Sequence, residues 1–344
     1  MSAVKCIAVL ALVLVTACAS PYVQAPGGQS VVPQTNGNPG DGTMTVRVSD
    51  GAALPLRVWA PVERGESAQP RAVIVGVHGF NDYSNTFDAP GRWWAAHGIV
   101  TYAYDQRGFG AAPEPGTWPG QQRLIRDLED VVAAVSNRHP GVPLFVHGNS
   151  MGGAVVLLAL ERRGPGTPLA AIQGASLTAP AVWGGAAMSP IYRASLWIAA
   201  HTAPSRHLTG RGLGVLPSDN IDMLRALGRD PLVIKATRID SLYGLVGLMG
   251  AAQRSAAGVR GNVLVMYGAK DAIIPRRPTA AMAARMNGES RFAVYPGGYH
   301  MLLRGLEAET VWADVLAWID DPLAPLPSGA EVSGRNLFAD AAVN

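Results

Sequence analysis

Cysteine is almost absent from this chain: among 344 residues there are only Cys6 and Cys18, both within the first eighteen positions. A folded body built from the remainder can hold neither a disulfide framework nor a C-x-x-C metal site, and no cofactor is expected. Charge is scarce as well, at 15% of residues, and the net value of +3 is small for this length. No Lys/Arg cluster is interleaved with aromatic residues, which argues against a nucleic-acid partner. Internal repeats are missing, and no apolar run is long enough to span a bilayer. Apolar residues are plentiful: a hydrophobic fraction of 48% is ample for a substantial core and excludes wholesale disorder. The length allows one large α/β domain with an insertion, or two domains of ordinary size.

The two cysteines belong to what reads as a targeting segment. Lys5 supplies a positive start, residues 7–17 form a short apolar run, and the run closes in Val15-Thr16-Ala17-Cys18. That ending resembles the bacterial lipobox, in which cleavage precedes a cysteine that becomes lipid-modified. The expectation is a lipoprotein-type signal over residues 1–18 with lipidation at Cys18, an uncleaved or ordinary secretory signal being the alternative. Residues 19–43, rich in Pro, Gly, Gln and Asn, read as a flexible tether.

Beyond the tether, residues 43–48 and 54–59 alternate around Asp50-Gly51, the pattern of an antiparallel hairpin. Ala72-Val73-Ile74-Val75-Gly76-Val77 is a nearly continuous apolar run, as expected of a strand buried on both faces. The following helix should be capped by Asp88, pack Trp93 and Trp94 inward and close at Gly98. Residues 99–104 give the next strand, and Leu124, Leu128, Val131, Val132 and Val135 recur at helical spacing. This alternation implies a parallel sheet whose ligands bind beyond the carboxyl ends of its strands. Between about 181 and 257 it gives way to helical segments rich in apolar and aromatic residues. They read as a cap over that end of the sheet, or else as an ordinary second helical domain. Strands return at 262–267 and 291–295, a last helix runs over 307–319, and residues 321–344 read as a disordered tail.

The stretch Val142-Pro143-Leu144-Phe145-Val146-His147-Gly148-Asn149-Ser150-Met151-Gly152-Gly153 reads as strand, cramped turn and apolar helix. Gly148-x-Ser150-x-Gly152 fits a nucleophile elbow, where small residues two before and two after the serine let strand and helix approach. A glycine turn that cradles a dinucleotide phosphate is the rival reading. It expects an acidic residue at the end of the next strand, and residues 172–178 end without one.

A serine hydroxyl needs a base to take its proton and a third group to orient that base. In the order Ser, acid, His, two strand-end loops supply candidates: Asp271 after the 262–267 strand and His300 after the 291–295 strand. His97, His139, His201 and His207 lie near helix ends or in the cap, and His147 precedes the elbow on a buried strand. Asp219, Asp222, Asp230 and Asp240 suit helix caps or surface positions better. Oxyanion donors would be the N–H of Met151 and one in the His78-Gly79-Phe80-Asn81 loop, Phe80 being favoured and Asn81 an alternative. His78 would brace that loop.

Together, His78-Gly79-Phe80, Asp105-x-Arg107-Gly108-x-Gly110, Gly148-x-Ser150-Met151-Gly152-Gly153, Asp230-Pro231-Leu232, Gly268-x-x-Asp271 and Gly297-x-x-His300 resemble the monoacylglycerol lipase and lysophospholipase group of α/β-hydrolases, also grouped with serine aminopeptidases. The resemblance runs from about residue 44 to 319. It implies an α/β-hydrolase fold, a mostly parallel central sheet with helices on both faces, a core over 44–180 and 258–320, and a helical lid over 181–257. By resemblance Ser150 is nucleophile, Asp271 orienter and His300 base, while Arg107 is structural. Asn149 departs from the group, many members of which carry histidine there.

The expectation is therefore a membrane-anchored, periplasm-facing serine hydrolase that cleaves carboxylic esters of single-chain lipids, monoacylglycerol or lysophospholipid in type. A peptidase or acyltransferase with the same triad, and a non-catalytic lipid-binding lipoprotein, are the alternatives. Dehalogenase and epoxide-hydrolase chemistries are disfavoured because their relatives put Asp at the elbow.

Overall fold

The structure, a computed structural model, describes residues 19–28, 30–37, 44–61, 69–210, 212, 214–286 and 289–332. The signal segment and Cys18 lie outside the described residues.

A ten-stranded sheet forms the body. Its members are β1 (Gln34–Asn36), β2 (Met44–Arg47), β3 (Ala53–Trp59), β4 (Ala72–Val77), β5 (Ile99–Tyr104), β6 (Leu144–Asn149), β7 (Ile172–Thr178), β10 (Asn262–Gly268), β11 (Ser290–Tyr295) and β12 (Glu331–Val332). The order across the sheet is β1-β2-β3-β5-β4-β6-β7-β10-β11-β12. The six strands from β5 to β11 run parallel, and the edge strands pair antiparallel. β2 and β3 are the expected hairpin, turned at Gly51 with φ 86°.

The parallel strands carry apolar residues on both faces because both faces are covered. On β4, Val73, Val75 and Val77 point to one core, with Leu124, Leu128, Val131 and Val135 of α2 (Gln121–Arg138) and Val155 of α3 (Met151–Glu161). Ile74 points to the other core, with Trp94 of α1 (Asp88–Ala96) and Val315 and Trp318 of α8 (Ala308–Asp320). The hydrogen bond of Trp94 Nε1–H to Trp312 O, at 3.0 Å, ties α1 to α8.

The interval 181–257 comprises α4 (Pro190–Thr202), α5 (Ile221–Arg229), α6 (Ile239–Ser255) and a small antiparallel hairpin of β8 (His207–Thr209) and β9 (Ala236–Arg238), which the sequence pattern does not reveal. A further helix, α7 (Arg276–Ala283), follows β10.

Four expectations are corrected. The tether is not free along its length, since β1 pairs with β2. Ahead of β1, the Gln24 side chain is buried, its amide donating to Thr117 Oγ1 at 2.8 Å. The tail is ordered as far as β12, which adds an edge strand to β11, and residues 333–344 lie outside the described ones. Asp88 does not cap α1: a 3₁₀ turn over Ser84–Phe87 runs straight into the helix, leaving the Asp88 carboxylate to accept from Trp59 Nε1 at 3.2 Å. Trp93 is only half-buried, stacked on His97 with ring centroids 3.9 Å apart.

Candidate active site

The elbow is built by two close approaches. Ser150 sits at φ 52° and ψ −114°, in the positive-φ region that costs a non-glycine residue energy. A Cβ on Gly152 would lie 1.9 Å from Val77 O, and one on Gly148 would lie 2.7 Å from Gly153 Cα. Only glycine lets α3 start so near β4 and β6, and that crowding holds Ser150 in its strained turn. Gly79 closes the approach from the other side, where a Cβ would come within 3.3 Å of Ser150 Cβ.

The loops after β10 and β11 bring Asp271 and His300 to this serine. His300 Nδ1 lies 2.8 Å from Asp271 Oδ2 and His300 Nε2 lies 3.0 Å from Ser150 Oγ. A carboxylate only accepts, so Nδ1 carries the proton, which leaves Nε2 to accept from the serine hydroxyl. Asp271 is itself held: its Oδ1 accepts from the N–H groups of Ile273 at 2.8 Å and Ile274 at 3.0 Å. The Asp271 side chain has no solvent exposure and that of His300 only 8%. A third strand-end loop, after β4, sets Phe80 beside the same serine. Met151 opens α3, so its N–H is among the first four without an intrahelical acceptor.

The remaining polar residues near the site brace it. His78 accepts the Gln106 N–H at Nε2, 2.9 Å away, and its Nδ1–H donates to Gly79 O at 2.8 Å. Burial depresses its pKa and keeps the ring neutral. His147, buried without any ionic partner, is pushed down to about 3. A proton order follows from its neighbours. Thr178 Oγ1 donates to Asn149 Oδ1 at 3.0 Å, so His147 Nε2–H donates to Thr178 Oγ1 at 3.2 Å and Ser176 Oγ–H donates to His147 Nδ1 at 2.8 Å. Asn149, the departure from the family pattern, is thus the end of a buried relay that fixes the strand under the elbow. Arg107 lies away from the site, bonded to Asp127 at 2.7 Å and to Asp50 at 2.6 Å.

Ser150 and His300 open on a cavity of about 370 Å³. Much of its wall is apolar, from Phe80, Trp183, Leu242, Leu245, Met249 and Ile273, so the cap contributes directly. One ion pair interrupts the apolar lining: Arg304 Nη1 lies 2.9 Å from Asp82 Oδ2, which also accepts from Thr86 Oγ1 at 2.9 Å. Sequence reasoning missed this pair. Its signal was position alone, Asp82 in the loop of Phe80 and Arg304 four residues past His300. Of the cap carboxylates, Asp230 accepts from Tyr83 O–H at 2.8 Å and Asp219 accepts from Leu306 N–H at 3.0 Å, both fastening cap to core.

The family model described as serine aminopeptidase, S33 matches residues 68–307. The chain belongs to that family. As a member of the S33 family it shares 29% identity over 288 residues with a monoacylglycerol lipase of Mycolicibacterium smegmatis, 78% of this chain and 93% of the relative. It shares 25% identity over 292 residues with the monoglyceride lipase of Mus musculus, 82% of this chain and 91% of the relative. Among solved structures, a soluble variant of monoglyceride lipase from Saccharomyces cerevisiae superposes with a TM-score of 0.67 at 21% identity, covering 88% of this chain and 98% of that one. The monoacylglycerol lipase of Paleococcus ferrophilus gives 0.62 at 21% identity, over 77% and 98%. The S33 chain has the α/β-hydrolase fold, its mostly parallel sheet flanked by helices.

Proposed function

We propose that the protein is a serine hydrolase that cleaves the carboxylic ester of a monoacylglycerol through an acyl-enzyme. The observation that carries this reading is His300, which spans from Ser150 Oγ at 3.0 Å to Asp271 Oδ2 at 2.8 Å at the mouth of an apolar cavity. In this reading Ser150 Oγ attacks the ester carbonyl as His300 Nε2 takes its proton, and Asp271 stabilises the resulting imidazolium. The N–H groups of Met151 and Phe80 hold the oxyanion. Collapse of the tetrahedral adduct breaks the C–O bond, His300 returns the proton to the departing glycerol oxygen, and a water repeats the sequence to release the fatty acid.

The head group follows from charge. Arg304 and Asp82 neutralise each other, which suits an uncharged glycerol better than the phosphate of a lysophospholipid. An aminopeptidase would need a carboxylate for the substrate's α-ammonium, and Asp82 is already occupied by Arg304, Thr86 and the Tyr83 N–H. The N-terminal residues support a lipoprotein acylated at Cys18 and anchored in the bacterial envelope, facing the periplasm.

The test is hydrolysis of a monoacylglycerol, a lysophospholipid of equal chain length and a p-nitrophenyl ester by purified protein, with fluorophosphonate labelling of Ser150. Ser150→Ala should lose both labelling and turnover, and Asp271→Asn should lower kcat about 10⁴-fold. Full esterase activity in Ser150→Ala would refute the mechanism, and faster turnover of the lysophospholipid would refute the head-group assignment.

A further inference from the structure

Residues 19–28 form neither helix nor strand, yet they are fastened to both parts of the molecule. On the cap side, the Ala19 N–H donates to His201 O in the last turn of α4 at 2.7 Å. The Tyr22 N–H donates to Asp240 Oδ2 in the first turn of α6 at 3.3 Å. On the core side, the Gln24 N–H donates to Trp118 O at 3.0 Å and the Gly27 N–H to Asp50 Oδ2 at 2.8 Å. The family match begins at residue 68, so this segment lies wholly ahead of it.

Two of its members meet groups that burial makes dependent on partners. Gln24 is only 8% exposed, and its amide donates to Thr117 Oγ1 at 2.8 Å, Thr117 O at 3.2 Å and Glu114 O at 3.3 Å. The loop it fills, residues 111–120, has no helix or strand, so its carbonyls have no ladder to satisfy them. Tyr22 adds its hydroxyl to the same loop, donating to Glu114 Oε2 at 2.7 Å. Asp240 is 1% exposed, and a buried carboxylate needs donors. Arg238 and the Ser241 N–H supply some of them, and the Tyr22 N–H supplies another.

Helix α6 joins these contacts to the active site. Its head already rests on the 111–120 loop, where Ser241 Oγ–H donates to Gly116 O at 2.8 Å. One turn on, Gly244 makes room for Trp118, whose ring would lie 2.5 Å from a Cβ at that position. On another side of the same helix, Leu242, Leu245 and Met249 wall the cavity beside Ser150. Residues 19–24, the 111–120 loop and the head of α6 thus make one joint, and any tilt of α6 at that joint moves the cavity wall.

We infer that residues 19–24 are a positioning segment for the reaction: through Gln24 and Tyr22 they lock the head of α6 onto the 111–120 loop and so set the apolar wall against which an acyl chain lies. A long chain needs that wall, whereas a two-carbon acyl group reaches Ser150 without it. The chain-length consequence rests on the ester-hydrolase reading, but the lock itself does not.

The experiment compares full-length wild type with Gln24→Ala, with the isosteric Gln24→Glu, which removes the amide donors, and with Val32→Ala as a control at a residue 79% exposed. Amide hydrogen exchange over 243–249 should quicken about five-fold in both Gln24 variants, the effect of losing one net hydrogen bond on local opening. Exchange in β6 and β7 should stay at the wild-type rate in all of them. With p-nitrophenyl laurate, KM should rise several-fold at nearly constant kcat, while kinetics with p-nitrophenyl acetate stay at wild-type values. Unchanged exchange over 243–249 would overturn the inference. So would faster exchange in β6 and β7 with equal losses on both esters, which would make Gln24 a matter of general stability. Absence of wild-type turnover on either ester would refute the hydrolase reading instead, and the exchange contrast would still decide the lock.

Discussion

At the scale of single residues, the two buried histidines on the β4 and β6 side of the site do opposite work to His300. His300 is useful because its Nε2 stays open to a proton from Ser150. His147 is useful because it stays neutral, relaying hydrogen bonds from Ser176 to Thr178 and on to Asn149. Burial holds its pKa near 3, against 6.5 for a free imidazole. In the unfolded chain the ring takes up a proton below its ordinary value, while in the fold it does not. Its share of stability is therefore intact above about pH 6.5 and is lost as pH falls from there towards 3. By about pH 5 the loss from this one residue should approach 2 kcal/mol. Urea denaturation of wild type and His147→Gln at pH 7.5 and pH 5 measures it. The variant starts less stable but should show a shallower decline with acid, and equal slopes in the two proteins would rule the account out.

Among the elements, the junction of β4, β6 and α3 makes the strictest demand on sequence. Gly152→Ala sets a Cβ 1.9 Å from Val77 O, a backbone atom that no side-chain rotation can clear. The helix must move, and a loss of about 3 kcal/mol is expected, with the serine displaced as well. Gly166→Ala is the matching control: φ is +80° there but nothing lies within 4 Å, so it should cost only about 1 to 2 kcal/mol. Chemical denaturation midpoints separate the two, and a loss at Gly152 no larger than that at Gly166 would mean that the contact with Val77 O does not set the cost. This junction was legible in the sequence because one strand, one turn and one helix are contiguous there. Asp271 and His300 were legible for a similar reason, each standing one loop past a strongly apolar strand. What stayed hidden depends on distant partners. Gln24 is ordered by Thr117 and Tyr22 by Asp240, 93 and 218 residues away, so a polar, proline-rich segment looked unstructured. β1, β12 and the β8–β9 hairpin are two or three residues long and show no period of their own. The Asp82–Arg304 pair joins two loops 222 residues apart.

At the scale of the whole molecule, cap and core are fastened around the site rather than merely stacked. Ile234 N–H donates to Asn81 O at 2.9 Å and Asn81 Nδ2–H to Thr237 Oγ1 at 2.6 Å, while Met301 N–H reaches Pro217 O at 2.9 Å. The loop after β4 and the loop carrying His300 therefore both bind cap residues, so a shift of the cap would be felt at Ser150. The N-terminal segment adds a third tie at residues 19–24, where Ala19 N–H donates to His201 O in the cap at 2.7 Å and Gln24 N–H donates to Trp118 O in the core at 3.0 Å. If Cys18 is the acylated terminus, only one peptide bond separates the lipid from the ordered Ala19, and the anchor has no free tether to swing on. Cys18→Ala tests the anchor itself. Intact-mass measurement of the wild type should show a chain beginning at Cys18 with added acyl mass, recovered in the membrane fraction. The variant should lack that mass and retain its leader. Because the residues that line the cavity beside Ser150 run from Gly79 to Arg304, turnover of a soluble ester by the variant should match wild type, while unchanged processing and membrane recovery would refute acylation at this residue.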